Sequence, residues 1–319
     1  MYVFEGRITL EDRELLESFL NGFDYKTSGL AYTSLFMWRD INHFSWEMIG
    51  DYLCITGVDN LELAVAEESA GNGKGDPFMF PPLTRTGEYE PAGLRETIME
   101  AKGRFEEKDK PFVLKLVPFH MLEILDKAMP GELVFEADRP NFDYVYNTSD
   151  LIELKGRAYH SKKNHLNYFL AHYDYEYSEM SPALYTDYVE FIREFNERKS
   201  PADPHERLLL EYEERAMRDV FLNLDTVGFL SGSIRIGGKV EAISIGGKLG
   251  TKTVTVHVEK ANTEFRGLYQ AINNEFCRHM AANVKRINRE EDMGIPGLRK
   301  AKLSYHPVKF IETYEVSLK

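Results

Sequence analysis

The stretch Val227–Met280, VGFLSGSIRIGGKVEAISIGGKLGTKTVTVHVEKANTEFRGLYQAINNEFCRHM, decides how the rest of the chain is read. Val227–Ile236 and Lys239–Ile245 are runs of β-forming residues, and the Gly237-Gly238 pair between them suits a tight primed hairpin turn. Gly246-Gly247-Lys248-Leu249-Gly250 reads as a second glycine loop leading into a third strand, Thr253–Glu259. In that strand Val254, Val256 and Val258 point one way, while Thr253, Thr255 and His257 point the other. After a polar loop, Arg266-Gly267 opens a helix whose Leu268, Ile272, Phe276 and Met280 recur every four residues. Strand, hairpin, strand, strand, phosphate-suitable loop, helix: this is the order of a transferase-like core.

Upstream, residues 1–140 carry the elements of an α/β layer in their own right. Helices are expected over Glu11–Leu20, where Thr9 and Asp12 suit a capping box, and over Ala31–Asp40. Phe44–Ile49 and Tyr52–Thr56 form a hairpin about Gly50-Asp51, followed by strands at Leu61–Ala66 and Phe78–Phe80. Gly71–Pro77 lacks the GK[ST] ending of a phosphate loop and is read as plain loop. Helix Leu94–Phe105, strand Phe112–Val117, helix Phe119–Ala128 and strand Leu133–Glu136 complete this half. Asp138–Leu154 reads as a junction, with Asp150 capping a short helix. A basic helix Ala158–Leu170, a strand His172–Tyr177 and two amphipathic helices broken at Pro201 and Pro204 then lead into the opening stretch. Arg286–Asn288 and Phe310–Val316 are the remaining strand candidates. The two halves share an order of elements, which suggests a duplicated topology with domains at 1–140 and 141–319.

Composition narrows the function classes. The chain has 319 residues, 43% of them hydrophobic, enough for two domains with sizeable cores. No apolar run approaches the roughly 18 residues of a membrane helix, and Met1–Leu20 is too acidic for a signal peptide, so a cytoplasmic protein is expected. Cys54 and Cys277 stand alone, without metal-ligand spacing, and no metal is expected. No GxSxG occurs, which removes the usual hydrolase reading. A net charge of −13 argues against coating DNA. Two basic islands stand out on this acidic background: Leu154–Tyr173, which has no acidic residue, and Arg299, Lys300, Lys302 and Lys309.

Three stretches carry a resemblance: DRPNFDYVYNTSDLIELKGRAYHSKKNHLNYF (138–169), EKANTEFRGLYQAINNEF (259–276) and INREEDMGIPGLRKAKLSYHP (287–307). They resemble a bacterial family grouped with the C-terminal domain of phosphatidylglycerol lysyltransferase and labelled domain of unknown function DUF2156. The resemblance spans essentially the whole chain. It implies an α/β (α+β) fold of two tandem GNAT-like domains, related to Fem-type aminoacyltransferases, each a mixed, mainly antiparallel sheet flanked by helices. It also implies an acyl- or aminoacyl transferase, working from aminoacyl-tRNA or acyl-CoA as donor substrate and onto an amine or hydroxyl. The acceptor would be a small molecule or peptide, with tRNA as a partner. The lysyltransferase proper joins this domain to a many-helix membrane region, and the sequence departs from it in showing no membrane-spanning segment, which weights the acceptor away from a membrane lipid. Around Arg266 the chain reads Phe265-Arg266-Gly267-Leu268-Tyr269-Gln270-Ala271, which departs from the N-acetyltransferase signature Arg/Gln-x-x-Gly-x-Gly/Ala. That departure weights the donor towards aminoacyl-tRNA. The alternative is a catalytically silent GNAT-like module that binds a ligand or partner.

Candidate residues follow from the chemistry. Amide-forming transfer needs a base for the incoming amine, and His257 and Glu259 are the candidates, placed on one face of their strand by alternation. Asn262, Thr263, Arg266 and Gly267 would hold donor phosphate at a helix start. Asn288, Glu290 and Asp292 offer acceptors for a cationic amine, Arg299, Lys300 and Lys302 would face a phosphate or carboxylate, and Tyr305 and His306 would line the cleft. Lys162, Lys163, Asn164 and His165, on the basic helix, would contact tRNA or another anion.

Overall fold

The structure, a computed structural model, describes residues 2–21, 26–58, 75–199 and 204–319, and the side chains of all of these except 204–206. The expected strand Leu61–Ala66, most of the Gly71–Pro77 loop and Pro201 lie outside the described residues. Two compact units divide the chain: Met1–Phe142, Asp203–Tyr212 and Ile311–Lys319 form one, and Asp143–Ala202 with Glu213–Phe310 the other.

The first unit holds a seven-stranded sheet of β1 (Gly6–Arg7), β2 (Ser45–Ile49), β3 (Tyr52–Val58), β4 (Pro77–Met79), β5 (Leu114–Pro118), β6 (Leu133–Ala137) and β14 (Thr313–Leu318). Its spatial order is β1-β2-β3-β4-β5-β14-β6. Helices α1 (Arg13–Leu20), α2 (Tyr32–Trp38), α3 (Pro91–Glu106) and α4 (Phe119–Ala128) accompany it. At the start of α1, Asp12 accepts from both the backbone and hydroxyl of Thr9, one side of the expected box. Pro91 opens α3 where its missing N–H costs nothing, and Glu90 caps the next two amides.

The second unit repeats that plan. Its strands are β7 (Asp143–Asn147), β8 (Glu176–Glu179), β9 (Leu230–Ile236), β10 (Lys239–Leu249), β11 (Thr253–Ala261), β12 (Arg286–Asn288) and β13 (Lys309–Ile311). Read from β8, the order is β8-β9-β10-β11-β12-β7-β13. In each sheet the fourth and fifth strands are parallel, β4 with β5 and β11 with β12, and a helix links them: α3 in one, α10 (Leu268–Met280) in the other. The sixth place in space is filled by exchange. β7 follows the first unit in sequence but pairs in the second sheet, and β14 follows the second unit but pairs between β5 and β6. The closing strand expected in 141–319 is therefore part of the first sheet. The stretch read as a junction supplies a buried strand, β7, whose Tyr144 and Tyr146 have no exposed surface.

Between β7 and β9 run α5 (Thr148–Glu153), α6 (His160–His172), α7 (Tyr185–Lys199), α8 (Pro204–Leu222) and α9 (Leu224–Val227); α11 (Pro296–Leu303) follows β12. Asn147, not Asp150, is the cap residue of α5, and Asp150 sits in its first turn. α6 reaches His172, so the strand expected from there starts at Glu176 instead.

The hairpin behaves as its glycines dictate. Gly237 and Gly238 have φ of 59° and 82°, the two positive values of a type I′ turn. The second glycine loop is a different matter: Gly246 and Gly247 lie inside β10. A Cβ on Gly246 would fall 2.1 Å from the carbonyl oxygen of Thr255, so the glycine lets two strands approach where their register shifts. Over this sheet α10 lays Leu268, Ile272 and Phe276, all buried, against Val254, Val256 and Ile287, as its four-residue period required. Removing one such aromatic costs about 3–5 kcal/mol.

Candidate active site

The site begins with a parallel pair that stops early. β11 pairs with β12 through Thr253–Thr255 alone; β12 then ends at Asn288 while β11 runs on to Ala261. The two chains part, and the segment after β12 carries Arg289–Asp292. A second irregularity turns the side chains. Ile245 pairs with Val258 and Gly246 with Val256, which leaves His257 as an extra residue, a β-bulge. Beyond it the alternation is inverted, so Glu259 (opposite Ser244) shares the α10 side with Val254 and Val256 (opposite Gly246). The expectation that His257 and Glu259 share a face is overturned. His257 has no exposed side-chain surface, meets Glu290 at 2.7 Å and lies edge-on to Phe229.

Glu259 is the centre of a polar group on the α10 side. Its Oε2 accepts from Asn273 Nδ2 of α10 at 2.9 Å, and its Oε1 from Arg289 Nη2 at 3.0 Å. The Arg289 guanidinium also lies 4.8 Å from the centre of the Tyr305 ring and 5.9 Å from that of Tyr146. Burial is the largest influence on Arg289 and opposes its charge, but Glu259 first, with Tyr146, Tyr305 and Cys277 added, together outweigh it and keep the guanidinium protonated. Its other terminal nitrogen, Nη1, is buried without a hydrogen-bond partner. Lys162 comes in from α6, its Nζ 4.3 Å from the Tyr305 ring centre. Burial, then the Arg289 charge, lowers its pKa from the usual lysine range, while Glu259 pulls the other way. Tyr305 is bonded to Gln270 of α10 and held through its carbonyl by Tyr159. Although these groups lie deep, 13% of the Arg289 side chain and 10% of Glu259 remain exposed. They sit where β11 and the chain leaving β12 part, called the crevice below, and keep a small contact with solvent.

The acceptors after β12 do not act together. Asn288 donates to Asp143 at 2.8 Å and takes the Glu290 amide, Glu290 meets His257, and Asp292 turns to Arg299. Left-handed backbone at Glu290 (φ 58°) and Met293 (φ 50°) splays them apart. Asp292 is fully buried and receives both arms of Arg299 at 2.9 Å, together with the Tyr144 hydroxyl at 2.5 Å. Burial alone would raise its pKa, but these bonds win and hold it at about 2. Lys302 donates to the carbonyls of Arg289 and Glu291, pinning the loop that presents Arg289. Beside it, burial first and Glu290 second push the Glu291 carboxyl up to about 7. Lys300 is exposed and joins none of this.

The expected donor loop is one contiguous turn, but its members differ. Asn262 is buried and committed: its amide nitrogen donates to Glu241 at 2.8 Å, and its oxygen takes the Glu264 amide. Thr263 and Arg266 are exposed, the latter with its guanidinium 4.4 Å from the Tyr168 ring centre. Gly267, φ 91°, starts α10 with no side-chain cap. A Cβ there would fall 2.1 Å from the His165 carbonyl oxygen, so α6 roofs this helix start. Lys163 and Asn164 are exposed on α6, Asn164 bonded to His160. Among the described residues, no cluster of three His, Cys, Asp or Glu is placed to hold a metal ion, and no helix is long and apolar enough to cross a membrane.

A family model described as phosphatidylglycerol lysyltransferase, C-terminal, matches residues 21–316. The chain belongs to that family. A conserved protein of unknown function from Bacteroides thetaiotaomicron VPI-5482 is 30% identical, with 100% of each chain covered and a TM-score of 0.82. The structure of L-PGS from Bacillus licheniformis is 10% identical over 99% of this chain and 93% of that one, at a TM-score of 0.65. FemX is 7% identical over 96% and 95%, at 0.58. These last two share the fold of the lysyltransferase-family chain. It is thus a transferase of the acyl- or aminoacyl-transferring kind, built on two GNAT-like units.

Sequence reasoning on this lysyltransferase-family chain named Glu259, Lys162 and Tyr305, and the structure gathers these in one crevice. It passed over Arg289, Asn273 and Tyr146. Arg289 had a signal: it is the lone cation in Asn288-Arg289-Glu290-Glu291-Asp292. Asn273 had a weaker one, as a polar residue on the inner side of an amphipathic helix.

Proposed function

We propose that the second unit transfers an aminoacyl group from aminoacyl-tRNA to an amine or hydroxyl of a small-molecule or peptide acceptor. The observation that carries this reading is the crevice between β11 and the chain leaving β12, with Glu259 and Arg289 on its floor. The acceptor's N–H or O–H attacks the ester carbonyl, a new N–C or O–C bond forms, and the bond to the ribose oxygen breaks. Glu259 receives the acceptor's proton and passes it to the departing ribose oxygen. Exposed Arg266 and Thr263, with Lys163 on α6, lie where a nucleic-acid backbone would run, and each phosphate contact adds salt-dependent affinity.

Aminoacyl-tRNA is favoured over acyl-CoA by the roof above α10. The His165 carbonyl sits over Gly267, and its partial negative charge opposes a pyrophosphate drawn to the free amides of that helix start. The test is to incubate the protein with tRNA charged by a mixture of labelled amino acids and with pools of amines, peptides and polyols. Protein-dependent movement of label from tRNA into a product is expected, with CoA thioesters inert. Absence of any transfer, with ligand still bound, would favour a silent binding module instead.

A further inference from the structure

The crevice floor has a surplus of positive charge. Lys162 and Arg289 approach the same Tyr305 ring, and among the described residues the carboxylate that faces both is Glu259. Lys302, the next cation, faces Glu290 and Glu291 instead and donates to two backbone carbonyls. Asp292 is spent on Arg299, and Glu290 on His257. Two cations therefore share one carboxylate, in a place where burial disfavours charge. Protein interiors rarely leave such groups uncompensated. The Tyr305 and Tyr146 rings offset part of this through their π faces, but they accept no N–H of the guanidinium fork, and Arg289 Nη1 stays buried without a partner.

We infer that the crevice binds an anionic oxygen group of its substrate, a carboxylate or a phosphate, between Lys162 and Arg289. Such a group would neutralise the surplus and take charge-assisted bonds from the lysine ammonium and the guanidinium. The sign matters, because the carboxylates after β12 had pointed to a cationic acceptor, whereas the groups gathered here call for an anion. Assigning the anion to a transfer substrate rests on the proposed aminoacyl transfer; the anion site itself does not. A terminal phosphate of the donor and a carboxylate of the acceptor are the two sources.

The experiment uses the full chain without tRNA. Wild type, Lys162→Gln, Lys162→Arg and, as a control at an exposed lysine of β10, Lys248→Gln are titrated with inorganic phosphate and separately with N-acetylglycine at constant ionic strength, following the melting midpoint. Saturable stabilisation by at least one probe is expected in wild type, Lys248→Gln and Lys162→Arg. In Lys162→Gln, binding should weaken about ten-fold or more, the factor carried by a lost charge-assisted bond. Response to phosphate alone assigns the site to a phosphate, and response to N-acetylglycine alone assigns it to a carboxylate. Equal binding by Lys162→Gln overturns the inference, as does the lack of a saturable response to both probes in wild type. Lys162→Arg guards against a folding defect, because it keeps the charge. Loss of transfer activity with anion binding intact would refute the proposed function and leave this site standing.

Discussion

Replacing Gly267 with alanine tests how the site is roofed. Two costs add. An L-residue held at φ 91° leaves its favoured backbone region, worth about 1–2 kcal/mol. The new methyl would also stand 2.1 Å from the His165 carbonyl oxygen and 3.0 Å from Phe169 Cβ, so α6 must move by about an ångström. Overpacking of that kind costs about 1–3 kcal/mol. The sum is about 2–5 kcal/mol. Gly297→Ala is the control: it lies in α11 at an ordinary φ with nothing within 4 Å of the added atom. Alanine there should stabilise by about 0.5–1 kcal/mol through helix propensity and lower unfolded-state entropy. Both tryptophans, Trp38 and Trp46, belong to the first unit, so fluorescence would miss the change. Hydrogen exchange of the α6 and α10 peptides is the assay. If Gly267→Ala leaves their protection within a factor of about five, under about 1 kcal/mol, the roof does not exist as described.

Other expectations follow from the same contacts. Asp292 has a depressed pKa, so its contribution is present above the unfolded carboxylate range and lost as pH falls through about 2. Asp292→Asn should flatten acid unfolding of the second unit over that window while lowering stability at neutral pH by about 1–3 kcal/mol, read by urea titration. Glu291 is the opposite case. Its raised pKa means a contribution present below the unfolded range and lost as pH rises through about 7, so Glu291→Gln should resist alkaline destabilisation better than wild type. Arg289→Ala should cost about 3–5 kcal/mol by stranding Glu259, and the double variant Arg289→Ala/Glu259→Gln should recover part of it.

Much of the fold was legible because local periods report local structure. The four-residue repeat of Leu268, Ile272 and Phe276 names the inner face of α10, and Gly237-Gly238 names its turn. What escaped were features set by partners far along the chain. Asp143–Asn147 pairs with β12, about 140 residues away in sequence, and nothing within five residues announces that. The exchange of β7 and β14 is invisible for the same reason. In the site, alternation predicts Val254 and Val256 correctly and fails at His257, because one extra residue flips every side chain after it. The clue lay on the neighbouring strand: glycine within a strand marks a bulge or a close approach, and Gly246 is both. Arg289 escaped because a cation among carboxylates reads as a solvated pair until its depth is known.

The central claim is that Glu259 and Arg289 face the reacting ester in the crevice beneath α6. A crystal structure with a non-hydrolysable aminoacyl-adenosine, the terminal fragment of charged tRNA, tests it directly. The ligand carbonyl should lie in the crevice with an acceptor position within about 3–3.5 Å of the Glu259 carboxylate. Density for the ligand elsewhere, with Glu259 still closed onto Arg289 and Asn273, would contradict it.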